Sequence, residues 1–134
     1  MPKKLNLIML VDDDHATNFA NKIIIDRAGV TESVITASNG LEALDYLNQS
    51  SKDDHPSPDL ILLDINMPGM NGWEFLDEYN KLSPTNQAEV VVVMLTSSMS
   101  PLDKQKAKEY GVSNFRSKPL TIEMIEEIVA ENFS

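Results

Sequence analysis

Short apolar runs, each followed by apolar residues at helical spacing, recur along the chain. Three of these runs are nearly continuous, at Leu5–Val11, residues 60–63 and residues 90–95, which is typical of strands buried on both faces of a parallel sheet. Residues 32–38 are rich in β-branched side chains and predict a shorter strand. Residues 112–117 predict the last and least apolar strand, at an edge of the sheet.

The segments between the strands predict helices with recognisable ends. The first helix follows Asp14, a candidate N-cap, and Gly29 is its candidate stop. Pro101 opens the fourth helix at the position that proline prefers. Thr121 is the candidate N-cap of the last helix, which runs to about Glu131. The apolar positions at helical spacing are Ala16, Phe19, Ala20, Ile23, Ile24 and Ala28 in the first helix, and Ile122, Ile125, Ile128 and Val129 in the last.

This alternation of strand and helix predicts an α/β fold: a doubly wound, flavodoxin-like, five-stranded parallel sheet with five helices. The common strand order of such a sheet is 2-1-3-4-5, in which strands one and three flank the switch point where ligands bind. Asp12 and Asp13 directly follow strand one, and Asp64 follows strand three. We therefore expect these three carboxylates in one crevice, with Thr96 at the end of strand four and Lys118 at the end of strand five.

Length and charge narrow the classes of function. The chain has 134 residues, which suits a single domain over residues 1–134 without an output domain. The formal net charge of −10 argues against DNA or an anionic membrane as partner. No apolar stretch approaches the roughly 20 residues that span a bilayer, and the N-terminus carries no signal-peptide pattern, so we expect a cytoplasmic location. Without cysteine, neither a disulfide nor a thiolate metal site is available.

The expected crevice has the composition of a phosphoryl-transfer site. Carboxylates packed closely together repel one another and require a cation or a proton. Hard oxygen ligands, without cysteine or a suitably placed histidine, favour Mg²⁺. An aspartate can itself be the nucleophile and form an aspartyl phosphate, while lysine and a hydroxyl stabilise the transferred group. The plainer interpretation, in which Asp64 only caps a turn, does not explain why three acids converge.

Four segments carry a resemblance to a known family: LVDDD at 10–14, LLDINMPGMNG at 62–72, VVVMLTSS at 91–98, and the pair Lys118–Pro119. In these segments, and over essentially its whole length, the chain resembles the response regulator receiver domain of two-component signalling. It is similar to the stand-alone kind that includes the bacterial chemotaxis regulator. The resemblance implies that Asp64 is the phosphoacceptor, and that Asp12 and Asp13 hold Mg²⁺ with it, Asp13 being the more direct ligand.

The same resemblance assigns expected roles to five further positions. The backbone carbonyl of Asn66 would complete the metal shell. Thr96 would move to the phosphoryl group, and Lys118 would pair with it. Phe115 stands at the position of the family's aromatic switch, which swings inward as Thr96 moves. The bond before Pro119 is expected to be cis.

The implied function is a switch rather than an enzyme: phosphoryl acceptance and loss are self-catalysed. The expected donor is a sensor histidine kinase or a histidine phosphotransfer protein, docked on the first helix around residues 16–22. The output would be a changed surface for an unknown protein target, or onward relay of the phosphate. The resemblance also implies a capacity for homodimers through the face formed by residues 101–110, Phe115 and the last helix.

Two other classes of protein compete with this interpretation. A phosphatase or phosphotransferase of the haloacid dehalogenase type also uses an aspartate after a strand, but it requires a second Asp two residues later, where this chain has Asn66. A degenerate receiver acting as a scaffold would lack an acid, the Thr or the Lys, and all are present. The two histidines have plainer interpretations: His15 as an exposed helix start and His55 as part of a polar surface loop.

Overall fold

Strands and helices alternate throughout the computed structural model, which describes residues 4–49, 58–81, 91–96, 100–110 and 115–133. Their bounds are β1 Leu5–Val11, α1 His15–Ala28, β2 Thr31–Ala37, α2 Gly40–Gln49, β3 Leu60–Asp64, α3 Gly72–Asn80, β4 Val91–Thr96, α4 Pro101–Tyr110, β5 Phe115–Ser117 and α5 Ile122–Phe133. The predicted succession of five strands and five helices is therefore confirmed.

All strand pairs in the sheet are parallel, and the strand order is β2-β1-β3-β4-β5. This is the predicted doubly wound order, with β1 and β3 at the switch point and the short β5 at an edge. Asp59 helps to set the register of the central pair, because its carboxylate accepts from the Asn6 N–H at 2.8 Å while its own N–H donates to the Leu7 carbonyl at 2.9 Å. The carboxyl ends of β1 and β3 consequently lie level with each other.

The sheet separates two apolar clusters, one on each face. Helices α1 and α5 cover the first cluster, whose buried members include Ile8, Leu10, Ile25, Leu60, Leu62, Ile125, Ile128 and Val129. Helices α2, α3 and α4 cover the second, which includes Met9, Val11, Leu44, Leu47, Ile61, Leu63, Trp73, Phe75 and Met94. Alternate residues of β1 and β3 face opposite clusters, which explains why both strands are apolar without interruption.

Polar side chains cap the helices of the described ranges. Asp14 accepts from two N–H groups of the first turn of α1, and Thr121 accepts from the Met124 N–H at 3.1 Å, so both predicted caps are confirmed. The other three caps are Asn39 on α2, Asn71 on α3 and Ser100 on α4. Gly29 ends α1 with a φ of 67°, the left-handed conformation that glycine adopts most readily.

The predicted apolar face of α1 is wrong for Ala16, Phe19, Ala20 and Ile23, which are exposed, and right for Ile24 and Ala28, which are half-buried against the first apolar cluster. Phe19 is 67% exposed and Ile23 37% exposed, whereas Asn18 and Asn21 are buried with Ile25. The helix is rotated because its buried side makes hydrogen bonds to strand ends as well as apolar contacts, and apolar spacing alone does not register them. In α5 the prediction is confirmed for the buried Ile125, Ile128 and Val129, and Ile122 is half-buried.

Some predictions concern residues outside the described ranges. These are the polar loop that contains His55, the start of the fourth apolar run at Val90, and residues 112–114 of the predicted last strand. The sequence also predicts a polar connector at 83–89, hydroxyls at Ser97 and Ser98 after the fourth strand, and a helix stop at Gly111, which lie outside the described ranges as well. Where strands are described, their bounds differ slightly from expectation: β2 begins at Thr31 and β4 includes Thr96. Among the described helices, none has the length and apolar character needed to cross a membrane.

Candidate functional site

Three carboxylates meet at the carboxyl edge of the sheet, as the topology predicts. Val11 pairs with Leu63, so the residues that follow each of them, Asp12 and Asp64, lie side by side. One carboxylate oxygen from each of Asp12, Asp13 and Asp64 lies within 4.8 Å of the others. Asp12 and Asp64 are buried, while Asp13 is exposed. The crevice therefore has two acids in its floor and one at its rim.

Lys118 supplies the positive charge of this crevice. Its Nζ donates to Asp12 Oδ2 at 2.8 Å and lies 3.4 Å from Asp64 Oδ1. Burial lowers the pKa of Lys118, but the hydrogen bond to Asp12 and the charges of Asp12 and Asp64 outweigh it, so the net pKa is raised. The ammonium thus stays charged and bridges the two buried acids. The peptide bond from Lys118 to Pro119 is cis.

Asp64 is electrostatically strained by its neighbours. Burial raises its pKa, and the negative charge of Asp12 raises it further, against the opposing effects of Lys118 and of a hydrogen bond from the Asn66 backbone N–H. Such a carboxylate gains from a nearby cation. The three acids offer only hard oxygen ligands, at mutual distances that one ion can satisfy, so the residues present fit Mg²⁺.

Thr96 ends β4 beside the acidic crevice. It follows Leu95, which pairs with Asp64, and it is buried. Its backbone carbonyl accepts from the Lys118 N–H at 2.9 Å, which ties the end of β4 to the residue that carries the ammonium. Asn66 is exposed in the loop after β3, two residues after Asp64. The roles of the Thr96 hydroxyl and the Asn66 carbonyl remain predictions.

Gly72 brings the first turn of α3 directly against Asp64. A Cβ at this position would lie 2.8 Å from the Asp64 carbonyl oxygen and 2.9 Å from the Met94 methyl group. The Gly72 N–H donates to the Ile65 carbonyl at 2.8 Å and closes the loop. The sequence identifies Gly72 only as a turn former. The need for a residue without a side chain at this position follows from the packing of α3 against β3.

An aromatic group joins α3, α4 and β5 on the side of the sheet that carries α2, α3 and α4. The ring centroid of Trp73 lies 5.4 Å from that of Tyr110 and 6.2 Å from that of the half-buried Phe115. Trp73 Nε1 donates to Asp103 at 3.3 Å, and the Tyr110 hydroxyl donates to Asp77 at 3.0 Å. The predicted switch residue Phe115 therefore contacts a cluster that holds α4 against α3.

One residue of the site was missed by reasoning from the sequence. Asn18 is buried in α1, and its Nδ2 donates to the backbone carbonyls of Asp12 at 2.9 Å and of Ala37 at 3.3 Å. Apolar spacing gave no signal for it, because the residues three and four positions away along the helix, at 14, 15, 21 and 22, are all polar. His15, by contrast, is exposed at the first residue of α1, in agreement with its plainer interpretation.

Comparison with known proteins places this geometry in a family. The family profile described as the response regulator receiver domain matches residues 8–130. Among curated proteins, the transcriptional regulatory protein CpxR homolog of Haemophilus influenzae is 36% identical over 115 residues, which cover 86% of this chain and 44% of that protein. The chain thus spans less than half the length of this relative.

Solved structures agree in fold over nearly the whole chain. A two component response regulator from Cytophaga hutchinsonii superposes with a TM-score of 0.85 and 32% identity, covering 96% of this chain and 97% of that one. The chemotaxis protein CheY4 of Vibrio cholerae superposes with a TM-score of 0.77 and 26% identity, covering 96% and 99%.

Proposed function

Because the chain belongs to the response regulator receiver domain family, we propose that it is a phosphorylation-driven switch of two-component signalling. In this proposal Asp64 accepts a phosphoryl group from a phosphohistidine donor in the presence of Mg²⁺. One observation carries it: the oxygens of Asp12, Asp13 and Asp64 lie within 4.8 Å of one another beside the Lys118 ammonium. A structural role alone would not require four charged groups at the carboxyl edge of the sheet.

The transfer step uses Asp64 as nucleophile. A carboxylate oxygen of Asp64 forms a bond to phosphorus as the bond between phosphorus and the histidine nitrogen breaks, leaving an acyl phosphate on Asp64. Asp12, Asp13 and Asp64, with the backbone carbonyl of Asn66, would hold Mg²⁺. When bound, the ion neutralises charge on the carboxylates and on the phosphoryl oxygens.

Lys118 changes partner in this scheme. Its Nζ already lies 3.4 Å from Asp64 Oδ1, so a phosphoryl group on Asp64 falls within its reach. Ion pairing with a phosphoryl oxygen would draw Lys118 away from Asp12 and leave Asp12 to the cation. Thr96, at the neighbouring strand end, would donate its hydroxyl to the same group.

The signal would leave the site through Phe115. Thr96 and Phe115 lie on neighbouring strands, β4 and β5, and Phe115 contacts Trp73. We infer that movement of Thr96 toward phosphate alters the packing of Phe115, and with it the surface of α4, β5 and α5. That surface would bind a protein target or a second copy of the chain, or the phosphate would pass onward to another histidine.

The donor would dock on α1. Phe19 and Ile23 lie one turn apart on α1, and both are exposed. This helix begins directly after residues 12–14, which include two acids of the crevice. An apolar pair of this kind suits the helical surface of a sensor histidine kinase or a histidine phosphotransfer protein. The net charge of −10 favours protein partners over DNA or an anionic membrane, and suits a cytoplasmic location.

We propose no turnover of outside substrates. A haloacid dehalogenase-type phosphatase places a second Asp two residues after the nucleophile to act as acid and base, and this chain has Asn66 there. An amide side chain is neither a general acid nor a general base at neutral pH, because it has no pKa in that range. The reaction would therefore stop at phosphoryl acceptance and slow self-catalysed loss.

Labelling with acetyl phosphate and Mg²⁺ tests the proposal. Asp64→Asn should abolish the hydroxylamine-labile phosphate that intact-protein mass spectrometry detects in the wild type, because the nucleophile is lost. The matched control is Asp14→Asn, which removes a neighbouring carboxylate but keeps a good N-cap and should label normally. Trp73 fluorescence gives a second readout, since its change on labelling should also disappear in Asp64→Asn. Equal labelling of the wild type and Asp64→Asn would refute the assignment.

A further inference from the structure

The buried face of α1 contains an amide side chain that does not suit its surroundings. Asn18 is only 4% exposed, and its Oδ1 has no hydrogen-bond partner among the described residues. Burying a polar atom without a partner destabilises a fold. A leucine at this position would extend the apolar cluster to which Ile25 belongs. Residues that break a local packing rule are often retained for function.

The amide nitrogen of Asn18, by contrast, donates two hydrogen bonds. Asn18 Nδ2 donates to the Asp12 carbonyl at 2.9 Å and to the Ala37 carbonyl at 3.3 Å. These carbonyls lie at the carboxyl ends of β1 and β2, and the Ala37 carbonyl also accepts from the Asp12 N–H at 3.1 Å. The amide therefore bridges two strand ends at the point where the chain enters the acidic crevice.

These contacts leave Asp12 almost no freedom. Its backbone N–H and carbonyl are held by Ala37 and Asn18. Its carboxylate accepts from the Asp14 N–H at 3.0 Å through Oδ1 and from Lys118 at 2.8 Å through Oδ2. Among these partners of Asp12, Asn18 is the one that lies within α1 and binds through its side chain.

We propose that Asn18 is a positioning residue for the cation site: its amide fixes the backbone of Asp12, and so the directions of the Asp12 and Asp13 carboxylates. The inference rests on the proposed function, because it assigns Asn18 to the site where Mg²⁺ would bind. Groups that orient metal ligands from behind are known to affect affinity strongly, because a ligand that must first be ordered binds more weakly.

Asn21 provides a matched control on the same helix. It is 8% exposed and lies three residues further along the buried face. None of the hydrogen bonds within the described part of the chain joins Asn21 to the acidic residues. Replacing it with leucine changes the same kind of side chain in the same helix, so a purely structural role for buried amides in α1 predicts equal effects at both positions.

The experiment compares Asn18→Leu with Asn21→Leu in the full chain. Calorimetric titration with MgCl₂ should show Asn18→Leu weakening Mg²⁺ binding about tenfold, while Asn21→Leu binds like the wild type. The same ranking should hold for Asn18→Ala and Asn21→Ala, which cannot overfill the helix face. Mg²⁺ affinity equal to that of the wild type in any folded Asn18 variant would overturn the proposal.

A readout without metal separates this inference from the proposed function. The Asp14 amide donates to Asp12 Oδ1, so its hydrogen exchange in the metal-free protein reports the orientation of the Asp12 carboxylate. Faster exchange at Asp14 in the Asn18 variants, but not in the Asn21 variants, supports positioning. Unchanged exchange overturns it. If the wild type bound no Mg²⁺, the metal part of the proposed function would fail. The exchange rate of the Asp14 amide would still show whether Asn18 positions Asp12.

Discussion

Helices α1 and α5 pack side by side on one face of the sheet, yet they bury different chemistry. The buried residues of α5 are Ile125, Ile128 and Val129. Those of α1 are Asn18, Asn21 and Ile25, and its largest apolar side chain, Phe19, is 67% exposed. The two helices thus contribute differently to one face: α5 buries only apolar side chains, whereas α1 buries two amides beside Ile25 and exposes Phe19.

The difference teaches where an amphipathic pattern is informative. An apolar stripe marks the buried face only when burial is the main demand on the helix. In α1, the loop that carries Asp12 and Asp13 requires donors from the helix side, and the exposed side carries the proposed docking surface. Three pairs of substitutions, in decreasing order of expected effect, would sharpen or break this contrast.

The largest effect is expected from isoleucine truncation. Ile125→Ala in α5 should lower the free energy of unfolding by about 2–5 kcal/mol, because it leaves a cavity in a fully buried site. Ile23→Ala in α1 should lower it by only about 1 kcal/mol, since more than a third of that residue is in solvent. Urea denaturation measures both. Equal losses would mean that the Ile23 position of α1 is packed as closely as the Ile125 position of α5.

A smaller effect, on transfer rather than on stability, is expected from Phe19→Ala. Loss of the exposed ring should slow phosphotransfer from a phosphohistidine protein about tenfold, equivalent to about 1.4 kcal/mol. Labelling by acetyl phosphate should stay unchanged, because a small donor needs no docking surface. Leu102→Ala is the control, since Leu102 is similarly exposed but lies on α4. An equal loss in both variants would remove the special role of α1.

The smallest effect concerns the caps of the two helices. Thr121→Ala should destabilise the protein by about 1 kcal/mol, equally at every pH, because a hydroxyl cap does not titrate. Asp14 differs: the hydrogen bond from the Thr17 hydroxyl and those from the Thr17 and Ala16 N–H groups lower its pKa below the usual 3.8. Its stabilisation is therefore complete above that value and is lost as the pH falls through the lowered pKa.

Thermal unfolding from pH 7 into the acid range measures both cap variants. The difference in midpoint between the wild type and Asp14→Ala should shrink in acid, while the difference for Thr121→Ala should stay constant. A constant difference for Asp14→Ala would show that its charge adds nothing to the cap.

Reasoning from the sequence succeeded where a single rule applies over a long range. The strand order follows from consecutive strand-helix units, and it brings Asp12 and Asp64 together although they are distant in the chain. The caps at Asp14 and Thr121 follow from residue type and position. These features depend on local composition, which one sequence gives directly, and on the handedness of the connections between strands, which follows a general rule.

The features that were missed depend on contacts between elements. The need for Gly72 arises from the approach of α3 to β3, and the orientation of α1 arises from two carbonyls that Asn18 reaches. The hydrogen bond from Trp73 to Asp103 likewise joins two helices whose separation no periodicity reveals. Apolar spacing identifies which residues avoid water. It does not show which buried polar groups need a hydrogen-bond partner, or which element supplies that partner.

The attachment of α4 to α3 has a mechanical consequence. Asp103 near the start of α4 and Tyr110 at its end each take part in a hydrogen bond to α3, about 10 Å apart along the helix axis. A helix held at two such points cannot pivot about either one, so α4 must release at least one bond or move together with α3. Each bond contributes roughly 0.5–1.5 kcal/mol. Breaking both bonds would therefore cost roughly 1–3 kcal/mol, which is similar to the few kcal/mol that separate conformers of a two-state protein.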